Sequence, residues 1–165
     1  MGQRRRAREA TLQILYQLDV QPDLRADVAL GRFFANFAAH EAGGGGEGAR
    51  GEVPSEPPVF PAEVKGHVER LVQGVVSHLA EIDARITRAS RNWRLERMAR
   101  VDRNLLRLAV YEMAFTTDVP GKVAINEAIE IAKRFGTQET PAFVNGILDR
   151  VLTDRGGPDP TSEPR

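Results

Sequence analysis

No cysteine occurs among the 165 residues, so disulfides, thiol nucleophiles and thiolate metal sites are excluded together. Histidine is scarce too, with His40, His67 and His78 the only three. His40 lies beside a glycine-rich stretch. His67 and His78 sit on one face of a single expected helix, but about three turns apart at ~1.5 Å per residue, too far to share a metal ion. No apolar run approaches the roughly 18 residues a membrane span needs. The amino terminus, MGQRRRAREA, lacks the apolar stretch of a secretory signal. The glycines from Gly43 to Gly48 are not followed by Lys-Ser or Lys-Thr, which removes the phosphate-binding loop. No serine or threonine has a base partner visible in the pattern. The expectation is a cytoplasmic protein with no cofactor, no bound metal, no membrane association and no enzymatic activity.

Net charge is also missing: 23 basic residues balance 23 acidic ones. The distribution says more than the sum. Eight arginines lie between Arg85 and Arg107 against Glu96 and Asp102, while five glutamates between Glu41 and Glu63 face Arg50 alone. Arginine serves bidentate phosphate contact better than lysine does. The three-residue spacing of Arg85, Arg88, Arg91, Arg94, Arg97, Arg100 and Arg103 is less than a motif, because each such step rotates about 60° and the row spirals around a helix. A solvated basic surface is the first reading of it. Trp93, within the row, reads as a core anchor or packed loop residue before a base-stacking platform.

What is present is helical periodicity. Ala7, Ala10, Thr11, Ile14, Leu15 and Leu18 form one apolar stripe from Arg4 to Asp19. Leu24, Val28, Phe34 and Phe37 mark a second helix over 23–39. Val64, Val68, Leu71, Val72, Val75, Leu79, Ile82 and Ile86 mark a third, opened by Pro61 in its first turn. Asn92-Trp93 marks a break. Val101, Leu105, Leu106, Leu108, Ala109, Val110 and Met113 make a helix apolar on two sides, which belongs at the centre of a bundle. After the turn TDVPG, a helix is expected to begin by Asn126 as its N-cap and close at Gly136. Thr140-Pro141 opens the last helix. No strand-period run appears, so the fold class is all-α, about seven helices. Residues 40–60, rich in glycine, proline and glutamate, read as a flexible insertion in a single domain over 1–154. Residues 155–165 read as a disordered tail.

Four arginines, Arg4, Arg5, Arg6 and Arg8, crowd the first turn of the first helix. Positive charge there opposes the helix dipole by about 0.3–1 kcal/mol per exposed charge. An anionic partner would reverse that sign, since arginines and helix N-terminal N–H groups both serve phosphate. A solvated arm is the plainer alternative.

Three segments together carry a resemblance: RRRAREATLQILYQLDV, VDRNLLRLAVYEM and VPGKVAINEAIEIAKRFGTQETPAFVNGILDRV. They resemble the NusB family of transcription antitermination factors over about 4–39 and 61–154. The resemblance implies two helical subdomains, the first two helices and the bundle from Pro61 onward. It implies binding to boxA RNA in nascent transcripts such as rRNA leaders, together with the ribosomal protein NusE. It further implies help in loading an antitermination complex with other Nus factors onto RNA polymerase. Carried onto this chain, it places RNA contacts at Arg4, Arg5, Arg6, Arg8 and Phe143, and NusE contacts at Tyr16, Asp102 and Arg107. Each has a plainer alternative: Tyr16 as boundary packing, Phe143 as core, Asp102 as a helix N-cap. The chain departs from the pattern in lacking a basic residue from Thr137 to Phe143 and in carrying the acidic, glycine-rich insertion. Two other readings stay open. One is the NusB-like RNA-binding domain of an rRNA cytosine methyltransferase, which should continue into a cofactor-binding domain. The other is a homodimer with masked RNA binding.

Overall fold

The computed structural model describes residues 2–43 and 60–154. Among them are seven α-helices, one short 3-10 turn and no strand: α1 (Gln3–Val20), α2 (Ala26–Gly43), α3 (Ala62–Ser77), α4 (Leu79–Ala89), the 3-10 turn Leu95–Arg97, α5 (Arg100–Phe115), α6 (Gly121–Phe135) and α7 (Thr140–Thr153). The all-helical expectation holds. The expected insertion divides: His40 to Gly43 extend α2, and most of the remainder lies outside the described residues, as do 155–165.

The chain forms two compact units, 1–72 and 73–165. In the first, Ala7, Ala10 and Ile14 of α1 meet Ala29 and Leu30 of α2, with Phe60, Val64, Val68 and Val72 completing the core. The four-residue spacing of those valines puts one face of α3 into this unit, so it takes in the first part of α3 as well as the two helices the resemblance assigns. Phe60 is the hub of an aromatic cluster, with ring centroids 6.2, 5.4 and 4.8 Å from Phe33, Phe34 and Phe37, each edge to face. Such pairs add about 0.5–1.5 kcal/mol each beyond the area they bury.

In the second unit α5 is central, packed by α4, α6 and α7. Its Leu105, Leu106, Leu108, Ala109, Val110 and Met113 are all buried, the two-sided apolar pattern made physical. Two glycines permit close approach. A Cβ on Gly74 would lie 2.1 Å from the Tyr111 ring, and one on Gly136 would lie 2.5 Å from Thr140.

Three local expectations are corrected. The long third helix breaks at His78, whose backbone (φ −113°, ψ 17°) leaves the helical region. Its N–H is shared between the carbonyls of Gly74 and Val75, at 3.1 and 3.3 Å, and its ring Nδ1 lies 2.8 Å from the Gly74 carbonyl oxygen. His67 and His78 therefore do not share a helix. Next, α6 starts five residues before Asn126, at Gly121: Pro120 precedes the first turn and its carbonyl accepts the Ala124 N–H at 3.0 Å. Asn126 is an exposed interior position and caps nothing. Gly121 and β-branched Val123 disguise this start, having low helix propensity alone. Finally, Thr140 does not cap α7. Glu139 holds the N-cap position without a side-chain bond, while the Thr140 hydroxyl turns to the N–H of Thr137 (3.0 Å) and to Asp102 (2.9 Å).

Candidate nucleic-acid and partner interfaces

The four N-terminal arginines do not form a uniform arm. α1 is helical from Gln3, with no acidic residue in its first turn and no side-chain cap at Gly2. Arg4 is exposed and Arg5 half-buried. Arg6 lies with its guanidinium 4.5 Å from the Phe60 ring centroid and 5.4 Å from that of Phe37, a cation–π seat on the aromatic cluster. Arg8 is only 4% exposed and is held within the fold. Arg4 and Arg6 are exposed, Arg5 is half-buried and Arg8 is buried, while Arg6 and Arg8 also serve the first unit's own packing.

Phe143, on α7, is half-buried, so it is neither a sealed core residue nor a free ring. Its ring meets that of Trp93 at right angles, 5.8 Å between centroids. Trp93 is 61% exposed, which overturns its reading as a core anchor. The turn that carries it is fixed from beneath. The Trp93 N–H donates to the Ser90 carbonyl at 2.9 Å. The Ser90 hydroxyl, itself buried, lies 2.8 Å from the Ile86 carbonyl and 3.2 Å from that of Trp93. Beyond it, Arg103 reaches back to the carbonyls of Leu95 (3.1 Å) and Glu96 (3.4 Å).

The arginine row is divided among α4, the loop after it, the 3-10 turn and α5, so no one helix carries it. Arg85 is half-buried on α4 and paired with Glu81 at 3.2 Å, while Arg103 is folded onto the loop. Arg88, Arg91, Arg94, Arg97 and Arg100 are exposed.

The three residues expected at a protein partner differ in freedom. Tyr16 is 41% exposed on α1. Asp102 sits in the first turn of α5, where Ala99 holds the N-cap position, and its Oδ1 accepts the Thr140 hydroxyl. Asp102 therefore ties α5 to the start of α7 and is not the N-cap. Arg107 grips Asp83 through Nε (2.8 Å) and Nη2 (3.0 Å) and donates from Nη1 to Asn104 at 3.2 Å. Sequence spacing missed the Arg107–Asp83 pair because its members are 24 positions apart, a distance no helical period relates.

Among the described residues no cluster of histidine and carboxylate side chains could hold a metal ion, and no helix is long and apolar enough to cross a membrane.

The family model described as the NusB family matches residues 5–153. The chain belongs to the NusB family. The transcription antitermination protein NusB of Anaeromyxobacter sp. (strain Fw109-5) is 48% identical over 148 residues, covering 90% of this chain and 88% of the relative. That of Geobacter sulfurreducens is 45% identical over 159 residues, covering 94% and 100%. Among solved structures, T. maritima NusB superposes with a TM-score of 0.74 at 34% identity, covering 93% of this chain and 92% of that one. A crystal structure of the antitermination factors NusB and NusE in complex with dsRNA contains a chain that matches with a TM-score of 0.67 at 23% identity, which speaks to the fold. The NusB match runs across both compact units, so Arg5, Arg6 and Arg8 of α1 and the Trp93–Phe143 pair lie inside the family's domain.

Proposed function

We propose that this protein is a transcription antitermination factor. It binds boxA-type single-stranded RNA in nascent transcripts together with NusE and helps load other Nus factors onto RNA polymerase. The observation that carries this is the family match over residues 5–153, with relatives named as transcription antitermination proteins aligned over 88% and 100% of their own length. That near-complete correspondence favours an antitermination factor over the RNA-binding domain of a methyltransferase. The role is non-enzymatic and sits in the cytoplasm, where transcription runs.

RNA contact falls to the start of α1 in the first unit and to Phe143 in the second. Arg4 supplies exposed charge, with Arg5 half-buried beside it. Arg6, seated on Phe37 and Phe60, and Arg8, buried in the fold, contribute a positive field from fixed positions. NusE contact falls to Tyr16, Asp102 and Arg107. Tyr16 is the outward anchor of the three; Asp102 and Arg107 present groups already oriented by Thr140 and by Asp83.

The test is titration of the purified protein with a labelled boxA oligonucleotide, with and without NusE, alongside a mass measurement. A complex of one copy each of protein, NusE and RNA, weakened by scrambling the boxA sequence, is expected. Equal affinity for scrambled RNA would overturn the antitermination reading. A stable homodimer that releases RNA on association would favour the masked form instead.

A further inference from the structure

We infer that Trp93 and Phe143 form a two-ring stacking platform for single-stranded RNA bases, with Arg88 and Arg91 taking the adjoining phosphates. This rests on the RNA-binding reading above and adds to it a ring and a phosphate path that extend the interface from α7 onto the loop after α4.

Three observations converge. The first is the cost of leaving an indole mostly in water on a surface that could have carried a polar residue. A ring held at 61% exposure stands ready for a partner, and the Ser90 and Arg103 bonds that fix its loop mean little ordering remains to be lost on binding. The second is its geometry. With the Trp93 and Phe143 ring planes at 90° and their centroids 5.8 Å apart, the two rings offer faces at right angles, so two consecutive bases would have to splay to engage both. That is open to a single strand and closed to a stacked duplex. The third is charge. Arg88, Arg91, Arg94, Arg97 and Arg100 are all exposed and only Glu96 opposes them over that stretch. A basic surface interleaved with exposed aromatics suits nucleic acid, where sequence-tolerant stacking combines with an electrostatic groove.

Immediately before Trp93, Arg91 and Asn92 help line a cleft of about 460 Å³ with Arg88, Arg150, Asp149 and Asp154. Its charge is mixed, three arginines against two aspartates. Arg88 and Arg150 also stand in the last turns of α4 and α7, where positive charge offsets the helix dipole. The Arg150 Nη1 further donates to the Ala89 carbonyl at 3.2 Å. The cleft alone would hold an anion weakly. It works as the phosphate side of a site whose affinity comes from the rings.

Trp93 is the only tryptophan in the chain, so its emission reports on the platform directly. The experiment titrates the full-length protein with a 5′-labelled boxA oligonucleotide, following label anisotropy and tryptophan emission together. Quenching that saturates along the anisotropy curve is expected. Trp93→Ala should weaken binding about fivefold to 150-fold at an unchanged melting temperature, and Trp93→Phe should recover most of the loss. Arg88→Ala with Arg91→Ala should lower the slope of log affinity on log salt by about 1.4, at ~0.7 for each phosphate no longer neutralised. If anisotropy shows binding while emission stays constant and Trp93→Ala binds like the parent, the platform is refuted and the RNA-binding function stands. If no binding appears by either signal with NusE present as well as absent, the functional reading itself fails. If NusE without RNA changes the emission and Trp93→Ala loses affinity for NusE alone, the ring serves a protein partner and the inference is overturned.

Discussion

The two compact units use arginine beside aromatic rings in opposite ways. In the first, Phe60 is buried among Phe33, Phe34 and Phe37, and Arg6, itself still exposed to solvent, lays its guanidinium over the rings of Phe60 and Phe37. In the second, Trp93 faces solvent against Phe143 while exposed arginines flank its loop without covering it. The same residue types yield a cation seated on a buried ring in one case and an exposed ring flanked by cations in the other. What separates them is whether the ring sits on a helix stripe that reaches a core. Phe34 and Phe37 recur at helical spacing and pack their rings against Phe60. Trp93 stands in a turn with polar and charged neighbours, so no apolar stripe draws it inward.

The sharpest test of that contrast makes one chemical change in both places. Phe60→Ala removes the hub of the aromatic cluster and should cost about 3–5 kcal/mol of stability. Phe143→Ala, at a half-buried ring, should cost distinctly less stability but about 1–3 kcal/mol of RNA affinity. Denaturant melts and RNA titrations of both variants check this. Should Phe143→Ala collapse the melt as Phe60→Ala does, with NusE and RNA affinities falling together, Phe143 is core and the contrast between the units dissolves.

A second test asks how far Arg107 is structural. Its bidentate pair with Asp83 is mostly shielded, at 12% and 25% side-chain exposure, between the surface regime of about 0–1 kcal/mol and the buried regime of about 3–5 kcal/mol for a broken pair. Arg107→Ala should therefore lower stability by about 2 kcal/mol, and Asp83→Ala should cost a similar amount. The double variant should lose less than the two single losses added, because neither charge is then left without its partner. Additive losses would show that the pair is not coupled, leaving Arg107 to act mainly at the NusE surface.

Much of this molecule was legible in the sequence because its helices carry their periods openly. The two-sided pattern of α5 predicted its central place, and Leu105, Leu106, Leu108 and Met113 are all buried. The breaks and starts were less legible, for identifiable reasons. At His78 the backbone leaves the helical region within a stripe that continues in sequence through Ile82 and Ile86, so the period carries no sign of the break. At Gly121 a poor helix former begins a helix because Pro120 sets its entry. In the candidate interfaces, residue types were readable and their commitments were not. Nothing in the run Arg4, Arg5, Arg6, Arg8 announces that Arg6 covers Phe60 and that Arg8 is buried, since their surroundings come from distant segments. Trp93 misled because tryptophan's size favours the core, whereas its turn, with Arg91, Asn92 and Arg94 beside it, has no apolar stripe to draw it inward.

Tyr16 is a ring on which no arginine is seated among the described residues. It is 41% exposed on the helix whose other face supplies Ala7, Ala10 and Ile14 to the core, so a charged substitution there should leave the fold intact. Tyr16→Asp should reduce NusE affinity by about 2 kcal/mol, the usual loss of an interface anchor, with an unchanged melt and unchanged RNA binding in the absence of NusE. Asp102→Lys should also weaken NusE binding but must break the Thr140 bond, so its melt should fall as well. If Tyr16→Asp binds NusE normally, the partner surface lies elsewhere.

The smallest effect separates the arginines of α1 from one another. Arg4 is exposed in a first turn that lacks acidic residues, so Arg4→Ala removes a charge that opposes the dipole and should raise stability slightly, by about 0.3 kcal/mol. Arg6→Ala abandons the cation–π seat on Phe37 and Phe60 and should lower stability by about 0.5–1 kcal/mol, despite making the same change in charge. For RNA the order reverses. Removing one arginine–phosphate pairing to a single strand should reduce the salt slope by about 0.7. Arg4, exposed in the first turn, can follow a phosphate freely, whereas the Arg6 head group is held over Phe37 and Phe60 and meets only a phosphate that comes to its exposed edge. Arg4→Ala should therefore flatten the salt dependence more than Arg6→Ala while leaving the melt almost unmoved. Equal slopes for both variants, with Arg6→Ala melting like the parent, would mean that the seat on Phe60 is not held in solution and that all the N-terminal arginines act as one solvated arm.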